Sequence, residues 1–182
     1  MVKIALDTNM YYWFMPVPQT LHKARELGFD YVELSPTADF HFWHHYPKAD
    51  DAFVAELNKA QKESGVKIAT LNPVFNWACV DEEERQAQVR NWRRLLEIAD
   101  QLDVREIVSE FSGDPNTPRR CEHQWYKSNE IGMGEVPWDE LFSTLRDMNF
   151  DGVLSLCVFG WHDRADEINK KMIARVKSEF GQ

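Results

Sequence analysis

The protein has 182 residues, of which 43% are apolar and 28% charged, and its formal net charge is −9. These values are ordinary for a single globular domain, and the acidic balance argues against a nucleic-acid partner, because phosphate binding needs clustered Lys and Arg. No apolar stretch approaches the roughly 20 residues that span a bilayer, so we expect no membrane partner. The three cysteines lie far apart and fit a reducing compartment, so we expect a cytoplasmic location.

Short apolar runs alternate with longer helical patterns along the chain, which is typical of βαβ units on a parallel sheet. We predict strands at 3–6, 31–34, 66–71, 106–111 and 153–159. The helices between them are predicted to run from about 18 to 28, over 51–64, from 81 to about 102, and over 138–148. A closing helix carries the apolar stripe Ile168, Met172, Val176 and Phe180.

The third predicted helix has the clearest apolar stripe. Its members recur at helical spacing and are Val89, Trp92, Leu95, Leu96, Ala99 and Leu102. We expect all of them to be buried against the sheet.

Two segments of the chain echo each other. Residues 25–32 read Arg-Glu-Leu-Gly-Phe-Asp-Tyr-Val, and residues 146–153 read Arg-Asp-Met-Asn-Phe-Asp-Gly-Val. Gly28 and Asn149 occupy the same place in the echo, and both residue types tolerate the left-handed conformation that ends a helix. The echo predicts a repeated helix–strand unit.

Five strands are too few for a (β/α) barrel, which needs eight strands and about 250 residues. The missing strands would lie near residue 128, because the helical pattern that begins at 121–128 becomes loop-like at 129–136, with Gly132 and Gly134. The predicted fold is therefore an incomplete (β/α) TIM-type barrel of about five parallel strands with covering helices.

Polar residues at the carboxyl ends of parallel strands are the first candidates for function. They are Asp7, Glu33, Asn72, Glu110 and Cys157. Glu33 and Glu110 each interrupt an apolar strand, and a buried acid needs a basic partner, a metal or water. We predict that these two glutamates are catalytic acid/base groups and that Asp7 binds substrate. The other interpretation is an acid at a strand end that faces solvent, and Cys157 is interpreted as a structural thiol.

The loop after the second strand contains Asp39, His41, His44 and His45 among aromatic residues. His and Asp ligate metals, but this spacing matches no metal motif, so an aromatic lid over a pocket fits equally well. We predict no metal site from these residues and propose His41 as a substrate contact. Trp77 and Trp161 lie near predicted loops, where aromatic rings stack on sugars, although packing explains a tryptophan equally well.

Several motifs resemble one family. Asp30–Pro36, the helix that contains Trp92, and Ser109–Gly113 are similar to the N-terminal half of the xylose-isomerase-like sugar phosphate isomerases and epimerases. The branch they resemble is the one associated with inositol catabolism. Gly132–Trp138 and Phe150–Ser155 resemble the last helix–strand unit of that family.

The resemblance covers nearly the whole chain in two blocks of one partial domain. Residues 1–128 resemble strands one to four of the barrel, and residues 129–182 resemble its last helix–strand–helix unit. The resemblance implies an internal deletion near Ser128 and Asn129, and a contiguous sheet in the order 8-1-2-3-4 of the parent barrel. Both edges of that sheet would expose unpaired backbone, so we expect a homo-oligomer joined through them.

The resemblance also implies an activity on keto-sugars or inositol-derived substrates. In the family a divalent metal, Mn²⁺ or Mg²⁺, polarises a hydroxy-ketone while two carboxylates move protons. Strands five to seven supply most of its ligands and have no counterpart here, and Cys157 stands where the final strand often supplies Glu. Whether this chain is an enzyme therefore stays open. The alternatives are an inactive remnant or interaction module, and a dehydratase-type lyase of inositol breakdown.

Overall fold

The computed structural model describes residues 1–11, 13–35, 49–75, 81–108, 110–111, 131–134, 136–157 and 161–182, without the side chains of 74, 75, 84, 110 and 111. Its strands are β1 (Lys3–Asp7), β2 (Tyr31–Leu34), β3 (Lys67–Leu71), β4 (Val74–Phe75), β5 (Glu106–Ile107), β6 (Glu110–Phe111) and β7 (Val153–Leu156). Its α-helices are α1 (Val17–Glu26), α2 (Asp51–Ser64), α3 (Glu82–Gln101), α4 (Trp138–Asp147) and α5 (Ala165–Phe180). Short 3₁₀ turns occupy Thr8–Met10 and His162–Arg164.

Five strands form one parallel sheet in the order β5-β3-β2-β1-β7. The predicted fold class and strand order are confirmed, because β7 lies beside β1 as the eighth strand of a barrel does. The sheet and its helices form half of a TIM-type barrel. Within the described residues, β5 and β7 are its edges.

The predicted strand at 106–111 is divided in two. Val108 N donates to Leu71 O at 2.9 Å, after which β6 pairs with β4 in a separate two-stranded parallel sheet. The strand at 153–159 is also shorter than predicted, because β7 ends at Leu156. The first of these predicted strands is therefore divided between two sheets, and residues 158 and 159 of the second lie outside the described residues.

The echo between the two helix–strand units is confirmed in the backbone. Gly28 has φ +89° and Asn149 has φ +52°. Phe29 N donates to Ala24 O at 2.9 Å, and Phe150 N donates to Leu145 O at 3.0 Å. In both units a residue in the left-handed conformation follows the helix, and the next residue closes the helix end with the same type of backbone hydrogen bond before the strand begins.

The core lies between the sheet and the helices, and α5 contributes its predicted stripe to it. The stripe predicted on α3 is wrong at Leu96, which is 56% exposed, and Val89 and Trp92 are only partly buried. The buried face of α3 passes instead through Asn91, Leu95, Ile98, Ala99 and Leu102. In the described part of the chain, no helix is long and apolar enough to cross a membrane.

Candidate functional site

Three buried polar side chains lie side by side at the carboxyl ends of β1, β2 and β3. Asp7 pairs in register with Glu33, and Glu33 pairs with Thr70. They are 1%, 5% and 2% exposed, respectively. Paired residues of parallel strands project to the same face of a sheet, so the three side chains form one row. We call Asp7, Glu33 and Thr70 the polar row.

An irregularity in β2 produces this alignment. Val32 pairs with Ile68, but the next residue, Glu33, pairs with Thr70, so Ala69 has no counterpart on β2. A bulge of this kind re-aims the side chains that follow it. Without it, Glu33 would face the alanine, and its carboxylate would have no hydroxyl beside it.

Glu33 is held by donors from β3. Thr70 Oγ1 donates to Glu33 Oε2 at 2.7 Å, and Asn72 Nδ2 reaches Oε1 at 3.5 Å. A buried carboxylate requires such donors, and they also fix its orientation. Since each oxygen can accept more than one hydrogen bond, Glu33 keeps acceptor capacity for a ligand.

Asp7 has one satisfied oxygen and one unsatisfied oxygen. Ser35 Oγ donates to Oδ1 at 2.5 Å, and Asn9 N donates to the same atom at 2.8 Å. Oδ2 is buried and accepts no hydrogen bond of normal geometry from the described residues. Burial raises the pKa of Asp7 to about 6, and the negative charge of Glu33 adds to the rise, while hydrogen bonds from Cys157, Ser35 and Asn9 oppose it.

Cys157 extends the polar row on the other side. Leu156 pairs with Leu6, so the next residue on each strand, Cys157 and Asp7, stand at the same level. The thiol is close enough to Asp7 to lower the pKa of its carboxyl, and Cys157 is exposed. Cys157 was among the strand-end candidates of the sequence, where it was interpreted as a structural thiol and its place beside Asp7 was not stated. The signal that could have identified it is the predicted order 8-1-2, which places β7 beside β1.

Aromatic residues lie on the segments that follow β1 and β7, which we call the rim. His162 Nδ1 lies 3.0 Å from Met10 O and joins the loop after β7 to the loop after β1. Its ring meets Trp13 edge-on at 6.2 Å, and Trp13 is 65% exposed. Trp161 packs partly against the core, with the guanidinium of Arg164 5.3 Å above its ring. Trp161, a predicted substrate contact, therefore lies on the β7 side, and its role stays a prediction; Trp13 also lies near a loop, and His162 was not predicted.

The other predicted site residues fall outside this description. His41, Trp77 and the histidine-rich loop lie beyond the described residues, and only the backbone of Glu110 is described, in β6. Among the described residues no group of three His, Cys, Asp or Glu side chains could hold a metal ion. The site that can be described consists of two neighbouring buried carboxyl groups, a thiol and hydroxyl donors. Such groups can bind hydroxyl groups and move protons.

A groove of about 570 Å³ lies elsewhere, at the start of α4. Its lining includes Ile131, Val136, Trp138 and Arg175, and no member of the polar row. It is therefore separate from the candidate site.

The parallel strand order and the polar groups at the strand ends define the class: a β/α-barrel protein with its site at the carboxyl edge of the sheet. Residues 21–129 match the family described as Xylose isomerase-like TIM barrel, and the chain belongs to this family. No curated protein matches the sequence.

One solved structure shares the fold, and two others are similar to the chain to a lesser degree. A D-psicose 3-epimerase, crystallised in the presence of D-fructose, is similar over 99% of this chain and 100% of its own, with 14% identity and a TM-score of 0.70. An AP endonuclease of family 2 from Brucella melitensis is 19% identical over 85% of this chain and 55% of its own, with a TM-score of 0.47. A 3-keto-D-glucoside 4-epimerase from E. coli is 15% identical over 94% of this chain and 65% of its own, with a TM-score of 0.48.

Proposed function

We propose that the chain is a sugar isomerase/epimerase-like protein of the inositol-catabolism branch, acting on a keto-sugar or an inositol-derived substrate. The observation that carries the proposal is the polar row, in which Asp7 and Glu33 lie in register on adjacent strands. Two neighbouring carboxyl groups at the carboxyl edge of a barrel sheet suit a ligand rich in hydroxyl groups. The family and the epimerase fold are consistent with this chemistry.

The reaction class needs a base that removes a proton from the carbon next to a carbonyl group, and an acid that returns one. Glu33 suits the base, because Thr70 and Asn72 hold its carboxylate in place. Asp7 suits substrate binding, because its carboxyl group stands beside Glu33 at the carboxyl edge of the sheet. We further propose Glu110 as the second acid/base group.

The remaining substrate contacts of this proposal are His41, Trp77 and Trp161. Of these, Trp161 is described at the rim, where its ring could border a sugar.

A divalent metal is implied by the family, but the described residues do not fit one. Among the described residues, Glu33, Asp7 and Cys157 do not form a three-ligand group that could hold the ion. We therefore assign no metal ligand and derive no step through a metal. Titration with Mn²⁺ in a calorimeter tests whether the chain binds the ion.

We also propose that this cytoplasmic protein is one partial domain, 1–182, with an internal deletion between residues 128 and 129. The five strands in the order β5-β3-β2-β1-β7 support it, because they correspond to a contiguous part of a barrel. Genomic sequence across Ser128 and Asn129 tests the deletion. Intervening codons for three further strands would contradict it.

The test of function is turnover of D-fructose and other ketohexoses, followed by proton NMR in D₂O with and without Mn²⁺. We expect Glu33→Gln to reduce turnover by at least about 100-fold, since a general base contributes about that much or more. The matched control is Glu83→Gln, an exposed residue at the start of α3. Equal loss in both variants, or no turnover by the folded wild type, would contradict the proposed catalysis.

One observation favours a second function, that of an interaction module. No described strand covers the outer side of β5 or β7, and Val108, just after β5, is 46% exposed. Open strand edges pair with other chains. If the folded protein turns over no keto-sugar, we propose that it works through these edges instead, with a second copy as the partner.

A further inference from the structure

Among the described residues that act on the carboxyl group of Asp7, Cys157 is the most exposed. Asp7 itself is 1% exposed, so no substrate atom touches it without displacing something. Cys157 stands at the same level on the neighbouring strand and is exposed. The thiol can therefore meet a ligand on one side and the carboxyl on the other.

The second carboxylate oxygen of Asp7, Oδ2, is the atom that can take up a proton. Oδ1 accepts from Ser35 and Asn9, whereas Oδ2 is buried and lacks a donor of normal geometry among the described residues. A buried acceptor without a donor is costly, and a buried negative charge more so. Proton uptake at Oδ2 removes both costs at once.

We propose that Cys157 and Asp7 form a proton-sharing pair, in which the exposed thiol transfers protons between a bound ligand and the buried carboxylate. A ligand hydroxyl gives its proton to Cys157 Sγ while the thiol passes its own proton to Asp7 Oδ2. The ligand becomes an oxyanion, the thiol keeps one proton, and the carboxylate becomes a carboxylic acid. The reverse transfer restores the starting state, and no oxidant or further reactant is needed.

The pair gives the site a further acid/base group besides Glu33 and Glu110, on the β7 side of Asp7. This role rests on the proposed function, but the pairing itself does not. The groups that act on Asp7 are Glu33 from β2, Cys157 after β7, and the uncharged Ser35 and Asn9. Burial raises the pKa of Asp7 to about 6, which suits a carboxylate that gains and loses a proton near neutral pH.

The test is the rate at which iodoacetamide alkylates Cys157 between pH 6 and 9, read by peptide mass spectrometry so that Cys79 and Cys121 are counted separately. Because the thiolate is the reactive form, a carboxylate beside it slows the reaction. We expect Asp7→Asn to raise the rate at pH 7.5 at least about threefold. Asp163→Asn, an exposed residue in the following loop, is the matched control and should leave the rate unchanged.

A second measurement covers the case in which Asp7→Asn fails to fold. The Asp7 carboxyl is titrated by ¹³C NMR in the wild type and in Cys157→Ala. Loss of the thiol donor should move the protonation of Asp7 to higher pH.

An unchanged alkylation profile in folded Asp7→Asn, or an unchanged Asp7 titration in Cys157→Ala, would overturn the pair. Neither measurement uses a substrate. Failure of the pair is therefore distinguishable from failure of the Glu33 turnover test.

Discussion

At Asp7 the proposed function conflicts with stability. Burial raises its pKa from 3.8 to about 6, which corresponds to about 3 kcal/mol. Between about pH 4 and pH 6 the folded protein holds a proton that the unfolded chain has released. Stability therefore falls as the pH rises through this window and is lowest above it. A protein that keeps such a group accepts a lower stability at neutral pH, as active sites commonly do.

We expect Asp7→Asn to remove this pH dependence. Asn imitates the protonated carboxyl, so the variant should be up to about 3 kcal/mol more stable than the wild type at pH 7 and similar to it at pH 4. Urea unfolding at pH 4, 5, 6 and 7 measures the difference. Asp100→Asn, on an exposed position of α3, should keep the slope of the wild type. Parallel curves for wild type and Asp7→Asn would show that burial of this carboxyl is not costly.

At the scale of elements, one arginine joins two helices and a strand. Arg25, near the end of α1, donates to Ser64 O at 3.0 Å and to Gly65 O at 2.8 Å. These carbonyl groups end α2, where Gly65 takes φ +71°. Arg25 also binds Asp30, just before β2, at 2.6 Å. The guanidinium therefore satisfies carbonyls that a helix end leaves open.

We expect Arg25→Ala to destabilise the fold by about 1–2 kcal/mol, because two hydrogen bonds from a charged donor are lost at a helix end. Arg105→Ala is the matched control, since Arg105 forms one highly exposed ion pair with Asp103 and should contribute little. Chemical denaturation of both variants measures the difference. Equal stability of the two variants would mean that Arg25 does not support the end of α2.

The sequence predicted those features that depend on neighbours along the chain. The end of α2 at Gly65 and the left-handed Gly28 and Asn149 follow from local residue preferences. The bulge that brings Thr70 to Glu33 was not predictable, because it arises from pairing between β2 and β3. The exposure of Leu96 was missed for a similar reason: helical spacing defines a stripe but not which side of it meets the sheet.

In the candidate site, too, some residues could be predicted from their neighbours along the chain, and others depend on how the strands pair. Asp7 and Glu33 were predictable because each is a polar residue at the end of an apolar strand. The neighbour Cys157 was harder to recognise, since its contact with Asp7 depends on β7 returning to β1.

At the scale of the whole molecule, the open edge at β7 makes self-association testable. Lys3 N donates to Gly152 O, so Leu154 N faces β1 and the N–H groups of Val153 and Ser155 face outward. The proposed oligomer would use these outward groups.

We expect the wild type to self-associate as its concentration rises and Val153→Pro to be monomeric over the same range. Proline removes one outward donor at the first residue of a strand, where it is best tolerated. Sedimentation equilibrium measures the mass, and circular dichroism checks that the variant folds. A wild type that stays monomeric at every concentration would contradict pairing through this edge.

The place of β7 beside β1 also sets when the candidate site can form. Lys3 pairs with Val153, so this contact joins residues 150 positions apart. Pairings of such long range form late and slowly, because a long loop must close first. On the ribosome, β1 can pair with β2 early, but its other side waits until β7 has been synthesised. Asp7 would meet Glu33 early and Cys157 only at the end, so completion of the site would coincide with completion of the fold.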